Sequence, residues 1–376
     1  MKPRIFLSYV HMGGTEKSWV DKAFETEWIV PLGPNVDEFE HRLESFLGSN
    51  HVVALSSGTA AIHLGLVGAG VKAGDEVICQ SFTFAASANP ITYQGAKPIF
   101  VDSEEETWNM SPEYLIQAIE DRKKVTGKYP KAIIPVHLYG MPAKMDEITE
   151  IANKYGIAII EDAAEALGSE LNGTKCGLFG DFGCLSFNGN KIITTSGGGA
   201  LICKTAKQAD RTKFYATQAR ENKPYYYHEV IGYNYRLSNV CAGIGCGQMD
   251  VLKDHIAKRR ANHDFYKKAL SDISGISVQD NAIPGSNSNF WLSTILIEPS
   301  TGKNPEEARQ WMADNNIETR RLWRPMHMQP VFREAPYYGD NCCETLFNKG
   351  LCLPSGSNLT EDDLLRVVDT LKQYLR

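Results

Sequence analysis

The chain has 376 residues, 43% hydrophobic and 22% charged, with a formal net charge of −6. Such a chain is long enough for two globular domains, and its charge excludes a nucleic-acid face or a docking face for an anionic membrane. No apolar run approaches the roughly 18 residues of a membrane span, so a soluble, cytoplasmic protein is expected.

Periodicity predicts helices over 15–27 and 36–47, joined by an apolar loop, Trp28-Ile29-Val30-Pro31-Leu32-Gly33. An alternation follows. Strands are expected over 52–55, 77–80, 98–101, 132–136 and 157–160. Helices are expected over 59–67, 85–93 and 143–155, and one opens at Ser111-Pro112 with a cap serine and a first-turn proline. Ile- and Val-rich runs between helices of about ten residues imply βαβ units on a mainly parallel sheet. Ligands of such sheets collect at the carboxyl ends of the strands. A long helix from Ser238 to about Leu270 carries the expected change of domain. Residues 1–250 would form a large α/β domain and 251–376 a smaller α+β domain. In the latter, strands are expected over 289–298 and 317–321 and a helix over 305–315. Thr360-Glu361-Asp362-Asp363 caps a final helix. Nine cysteines without a CxxC pair read as reduced core thiols rather than a disulfide framework, and no metal site is expected.

Several strand ends carry chemistry. Ser56-Ser57-Gly58-Thr59 precedes a helix, where free N–H groups and the helix dipole make either a phosphate site or an ordinary capped turn. Ser81-Phe82-Thr83-Phe84 puts an aromatic after the second strand, as core or as a wall for a planar ring. Glu161, Asp162 and Glu165 follow a buried strand, where acids need partners. Lys191 lies between two apolar runs, after Asn188-Gly189 and before Gly197-Gly198-Gly199. A lysine in that setting suits a Schiff base with pyridoxal phosphate, the acid facing the pyridine nitrogen and the turn holding the phosphate. Read singly, each of these has an ordinary structural alternative; the ordered set favours the cofactor. Arg320, Arg321, Trp323, Arg324 and His327 concentrate cations and an aromatic, as a solvated turn or as a clamp for an anionic substrate.

Together, Ser57-Gly58-Thr59-Ala60-Ala61, Thr83-Phe84, Glu161-Asp162-Ala163-Ala164, Ser186-Phe187…Lys191, Gly232-Tyr-Asn234-Tyr-Arg236 and Leu353-Pro-Ser resemble the sugar-nucleotide aminotransferases of the DegT/DnrJ/EryC1/StrS family. The resemblance covers nearly the whole chain. It implies a fold type I, aspartate-aminotransferase-like subunit acting as a homodimer. It makes Lys191 the catalytic Schiff-base lysine, Asp162 the partner of the pyridine nitrogen and Phe84 the stacking ring. Ser57, Gly58, Thr59 and Ser186 would hold the phosphate, and Asn234 would reach the phosphate bound by the neighbouring subunit. Glu165 stands where the family often has Gln, near the cofactor's ring hydroxyl. Ser196-Gly-Gly-Gly199 replaces a frequent Gly-Glu-Gly-Gly. Within the family, the stretches 187–199, 217–222 and 318–327 resemble the bacillosamine and legionaminic-type 4-aminotransferases. That implies UDP-2-acetamido-2,6-dideoxy-hexos-4-ulose as acceptor and L-glutamate as donor, with Trp28, Ile29, Val30, Pro31, Arg320, Trp323 and His327 touching the sugar nucleotide. The alternatives are a GDP- or dTDP-linked keto-sugar, or a non-catalytic regulator on the same fold.

Overall fold

Alternate residues of each apolar strand go to opposite sides of one sheet. In the computed structural model, which describes residues 3–49 and 51–376, Val53 and Leu55 join one core cluster and Val52 and Ala54 another. Val77 and Cys79 are likewise separated from Ile78. Strands buried on both faces read as continuous apolar runs because helices cover each side.

The sheet has eight strands. Their order is Val52–Leu55, Gly199–Cys203, Phe182–Ser186, Ala158–Asp162, Ala132–Ile134, Glu76–Gln80, Lys97–Val101 and Tyr337–Tyr338. Gly199–Cys203 runs against both neighbours, and every other pairing is parallel. The other strands therefore end on one side, where the candidate residues lie. Pro135 has no N–H for the ladder, so the strand expected over 132–136 stops at Ile134. Val136 resumes only as a single bridge to Asp162.

The helix starts follow their caps. Ser57 Oγ accepts from the Ala60 N–H, Ser111 Oγ from the Tyr114 N–H, and Thr360 and Asp363 form a reciprocal box. Such a cap is worth about 1 kcal/mol.

A second sheet is antiparallel, in the order Ile276–Val278, Ser293–Ile297, Gly350–Leu353, Arg320–Arg321. The helix Asn239–Leu270 passes from one core to another: Ala242 and Leu252 pack with Phe39 and Phe187, whereas Tyr266 and Leu270 pack with Ile295 and Leu351. Three pairings cross the boundary expected at 250. Tyr337–Tyr338 extends the large sheet beside Lys97–Val101, Ser286–Asn287 pairs with Glu170–Leu171, and Ile5 bridges Ile317. The strands expected over 289–298 and 317–321 are shorter than the sequence suggests. Phe290, inside the first of these ranges, has φ 47° and Asn316, just before the second, φ 61°, left-handed conformations that precede the observed strands Ser293–Ile297 and Arg320–Arg321. All nine cysteines are free, and all but Cys241 and Cys342 are buried. Among the described residues no helix is long and apolar enough to cross a membrane.

Candidate active site

A cavity of about 870 Å³ opens at the carboxyl ends of the parallel strands. Ser57, Gly58 and Thr59 line it after Val52–Leu55, Phe84 after Glu76–Gln80, Asp162 and Glu165 at and after the end of Ala158–Asp162, and Ser186 and Lys191 at and after the end of Phe182–Ser186.

The turn at 57–59 is built to receive an anion. Ser57 uses its Oγ on the Ala60 N–H at 3.0 Å and its carbonyl on the Ala61 N–H at 3.1 Å. The N–H groups of Gly58 and Thr59 stay available at the helix N-terminus, with the dipole behind them. Glycine at 58 is required by closeness: a Cβ there would stand 2.9 Å from Ser186 Cβ. Of the glycine run at 197–199, Gly199 packs against the same turn. A Cβ at Gly199 would stand 2.4 Å from the Ser57 carbonyl carbon, whereas one at Gly197 would meet nothing within 4 Å. Gly199→Ala is expected to destabilise the protein by about 1–3 kcal/mol in urea unfolding. Gly197→Ala should change it by less than about 0.5 kcal/mol. Equal effects would contradict the close packing of this strand on the turn.

The two adjacent acids divide by strand alternation. Glu161 faces away from the cavity and is fully paired. Its Oε2 accepts from His137 Nε2 at 3.0 Å and from the Gly177 N–H at 2.7 Å, and its Oε1 from the Gly180 N–H at 2.6 Å. Asp162 faces the cavity. Ser87 Oγ donates to its Oδ2 at 2.5 Å and the Ala164 N–H to its Oδ1 at 3.2 Å, fixing the carboxylate without covering it.

Lys191 is only 12% exposed at its side chain. Its Nζ donates to Glu165 Oε1 at 3.1 Å and lies 4.2 Å from the centre of the Trp291 ring. The Tyr139 N–H donates to the other oxygen of Glu165 at 2.8 Å. Burial pushes the Glu165 carboxyl up to about 7, against the opposing pull of Lys191 and of that N–H. The carboxyl at the position where Gln is frequent thus has a partner of its own in the lysine. Phe84 is half exposed in the cavity wall, 5.4 Å from the Trp323 ring.

The donor set fits pyridoxal phosphate: two free N–H groups and a hydroxyl for a dianion, a fixed carboxylate for a ring nitrogen, an amine between them and an aromatic wall. Arg320 and Trp323 also line the cavity. The structure does not bring the remaining expected residues there. His327 is engaged elsewhere, with Ser81 Oγ at 2.7 Å, Glu344 at 3.1 Å and the Tyr337 ring at 3.8 Å. Trp28, Ile29, Val30 and Pro31 point outward from a loop whose carbonyls at Trp28 and Val30 are held by Asn239. Asn234 is exposed and lies outside the cavity of its own chain. Sequence reasoning missed Ser8, Asn190 and Trp291. Trp291 Nε1 and Ser8 Oγ both donate to the Asn190 carbonyl, at 2.8 and 2.7 Å, from 101 and 182 positions away. No local pattern encodes such a meeting.

Known proteins are similar to the chain over nearly its whole length. EpsN of Bacillus subtilis (strain 168), provisionally assigned as a pyridoxal phosphate-dependent aminotransferase, is 48% identical over 375 residues, covering 99% of this chain and 96% of its own. The GDP-perosamine synthase of Escherichia coli O157:H7 is 37% identical over 364 residues, covering 96% of each. A DegT DnrJ EryC1 StrS aminotransferase from Brucella abortus has a crystal structure that superposes with a TM-score of 0.89 at 30% identity, over 96% of this chain and 95% of that one. The α/β architecture is therefore the fold type I one that the sequence implies. The model of the DegT/DnrJ/EryC1/StrS aminotransferase family matches residues 11–372, and the chain belongs to that family.

Proposed function

We propose that the chain is a pyridoxal phosphate-dependent aminotransferase that moves the amino group of L-glutamate to C4 of UDP-2-acetamido-2,6-dideoxy-hexos-4-ulose. The observation that carries the reading is the meeting of Lys191, Asp162 and the 57–59 turn in one cavity, with Arg309, Arg320, Arg321 and Arg324 around its lining. An amine, a carboxylate and an anion turn serve the cofactor. The arginines suit the diphosphate of a sugar nucleotide.

Pyridoxal phosphate, when bound, supplies an aldehyde for the incoming amine and a ring that withdraws electrons from the reacting carbon. The chain's own residues do the rest. The Gly58 and Thr59 N–H groups and Ser186 Oγ hold the phosphate. Asp162 would face the ring nitrogen, and Phe84 would cover one face of the ring. Lys191, on its short tether, would take the proton from the donor's α-carbon and pass it to the cofactor carbon, and in the second half of the cycle would move a proton from that carbon to C4 of the acceptor. Glu165, beside it, accepts its hydrogen bond and orients it.

Two exposed apolar surfaces suit a homodimer in which each chain completes its neighbour's site. One is the rigid loop at Trp28, Ile29 and Val30. The other includes Tyr226 and Ile231, 80% and 82% exposed, close in sequence to Asn234. In that dimer Asn234 reaches the partner's phosphate and the 28–31 loop touches the sugar nucleotide.

A second reading, a GDP-linked 4-keto-6-deoxy sugar as acceptor, is favoured by the 37% identity to GDP-perosamine synthase. Half-reactions separate the two. The holoenzyme mixed with L-glutamate alone should release 2-oxoglutarate. Addition of UDP-, GDP- and dTDP-linked keto-sugars in turn should then give the amino sugar fastest with the UDP compound. Fastest turnover with the GDP compound selects the second reading, and no 2-oxoglutarate with glutamate defeats both.

A further inference from the structure

Arg259 is 1% exposed, in the middle of the Asn239–Leu270 helix, and no carboxylate among the described residues lies within 4 Å of it. Burial alone works against its charge. A buried cation without an acid is costly, and chains seldom keep one without use for its hydrogen bonds. Its Nε has no partner among the described residues. Its two terminal nitrogens have one each: one donates to the Trp291 carbonyl, the other to Ser8 Oγ at 3.0 Å.

Those two residues are the donors to the Asn190 carbonyl, one position before Lys191. A guanidinium only donates. Ser8 Oγ must therefore accept from Arg259, which leaves its single hydrogen for Asn190. The Trp291 carbonyl is held in the same way, and its ring, whose N–H reaches Asn190, is the ring over which the Lys191 amine sits. Neighbouring contacts fix the rest of the segment: His255 meets the Ile192 carbonyl at 3.2 Å, and Gln248 Oε1 accepts from the Thr194 N–H at 3.2 Å. Three distant parts of the chain thus converge on one peptide group through one cation.

We infer that Arg259 is a positioning residue for Lys191: it orients the Ser8 hydroxyl and the Trp291 indole so that both hold the Asn190 carbonyl and set the lysine's approach to the cofactor carbonyl carbon. The inference rests on the cofactor reading above.

The test compares two ligands on the full-length chain freed of cofactor. Pyridoxal phosphate can bond to the lysine; 4-deoxypyridoxine 5′-phosphate fills the same site but cannot. Arg259→Met replaces an unpaired buried cation with an apolar side chain of similar length, a change such sites tolerate. Pyridoxal phosphate affinity should fall about tenfold, while that for 4-deoxypyridoxine 5′-phosphate stays within about twofold. Borohydride reduction followed by peptide mass analysis should find less cofactor fixed on Lys191. Equal losses for both ligands, or no loss for either, overturn the inference while wild-type binding of pyridoxal phosphate upholds the cofactor reading. Failure of the wild-type chain to bind pyridoxal phosphate removes that reading and this one with it. If Arg259→Met does not fold, the double variant Ser8→Ala with Trp291→Phe deletes both donors and leaves the cation. It should show the same split between the ligands, and its absence overturns the inference equally.

Discussion

Lys191→Ala should fold, bind pyridoxal phosphate without a covalent bond, and turn over at least about 10³-fold more slowly than wild type. No other amine shares its position. Lys191 Nζ is 3.1 Å from Glu165 and 4.2 Å from the Trp291 ring, in a cavity whose other cations are guanidinium groups. Guanidinium is a poor proton acceptor, and the carboxylates Asp162 and Glu165 that also line the cavity are weaker bases than an amine. The fold should survive because Glu165, the group that loses its cation, can go neutral. Burial already pushes its carboxyl up to about 7, and the Tyr139 N–H remains to it. The measurement is the cofactor's visible absorbance before and after borohydride, with single-turnover release of 2-oxoglutarate. Cofactor still fixed by borohydride, or turnover within tenfold of wild type, would remove Lys191 from the catalytic role.

Asp162→Asn is the second large effect expected. Asn keeps the size and can still bond Ser87 and the Ala164 N–H, which now meet the carboxylate at 2.5 and 3.2 Å. It cannot hold a proton on a ring nitrogen by charge. Losing one fixed charge aimed at the reacting system typically costs about 10²–10³ in kcat. Phosphate binding at the 57–59 turn is separate from Asp162 and should persist, so the expected pattern is low kcat with the cofactor retained. A variant with near-normal kcat would mean that the acid only packs the end of its strand.

The candidate residues placed by local geometry were legible because short-range rules govern them. A serine cap, small residues after a strand, and an acid after an apolar run are all written within about five positions. Ser57 and Asp162 stand out in that way, Lys191 only as a member of the ordered set, and all three line one cavity. Glu161 shows the limit of this reading: it neighbours Asp162 in sequence, yet the pleat turns it to His137 and two backbone N–H groups. His327 shows another limit, since Tyr337, Glu344 and Ser81 come from different parts of the chain to hold it. The two-residue strand Tyr337–Tyr338 carries no period to detect, and its pairing with Lys97–Val101 is a tertiary choice. Ser8, Trp291 and Arg259 belong to this class as well. Their meaning lies wholly in what they meet.

The strand Tyr337–Tyr338 also sets an order in time. It covers the flank of Lys97–Val101, and during synthesis it leaves the ribosome long after that strand. At typical elongation speeds of about 5–20 residues per second, the flank stays bare for on the order of ten seconds or more. An uncovered strand edge is a template for stray pairing. Trp291, the partner of Asn190, and Ile317, the partner of Ile5, arrive in the same late portion. The nascent chain therefore holds a nearly finished sheet in which Lys191 still lacks Trp291, and slow synthesis or early termination would leave that intermediate exposed to self-association.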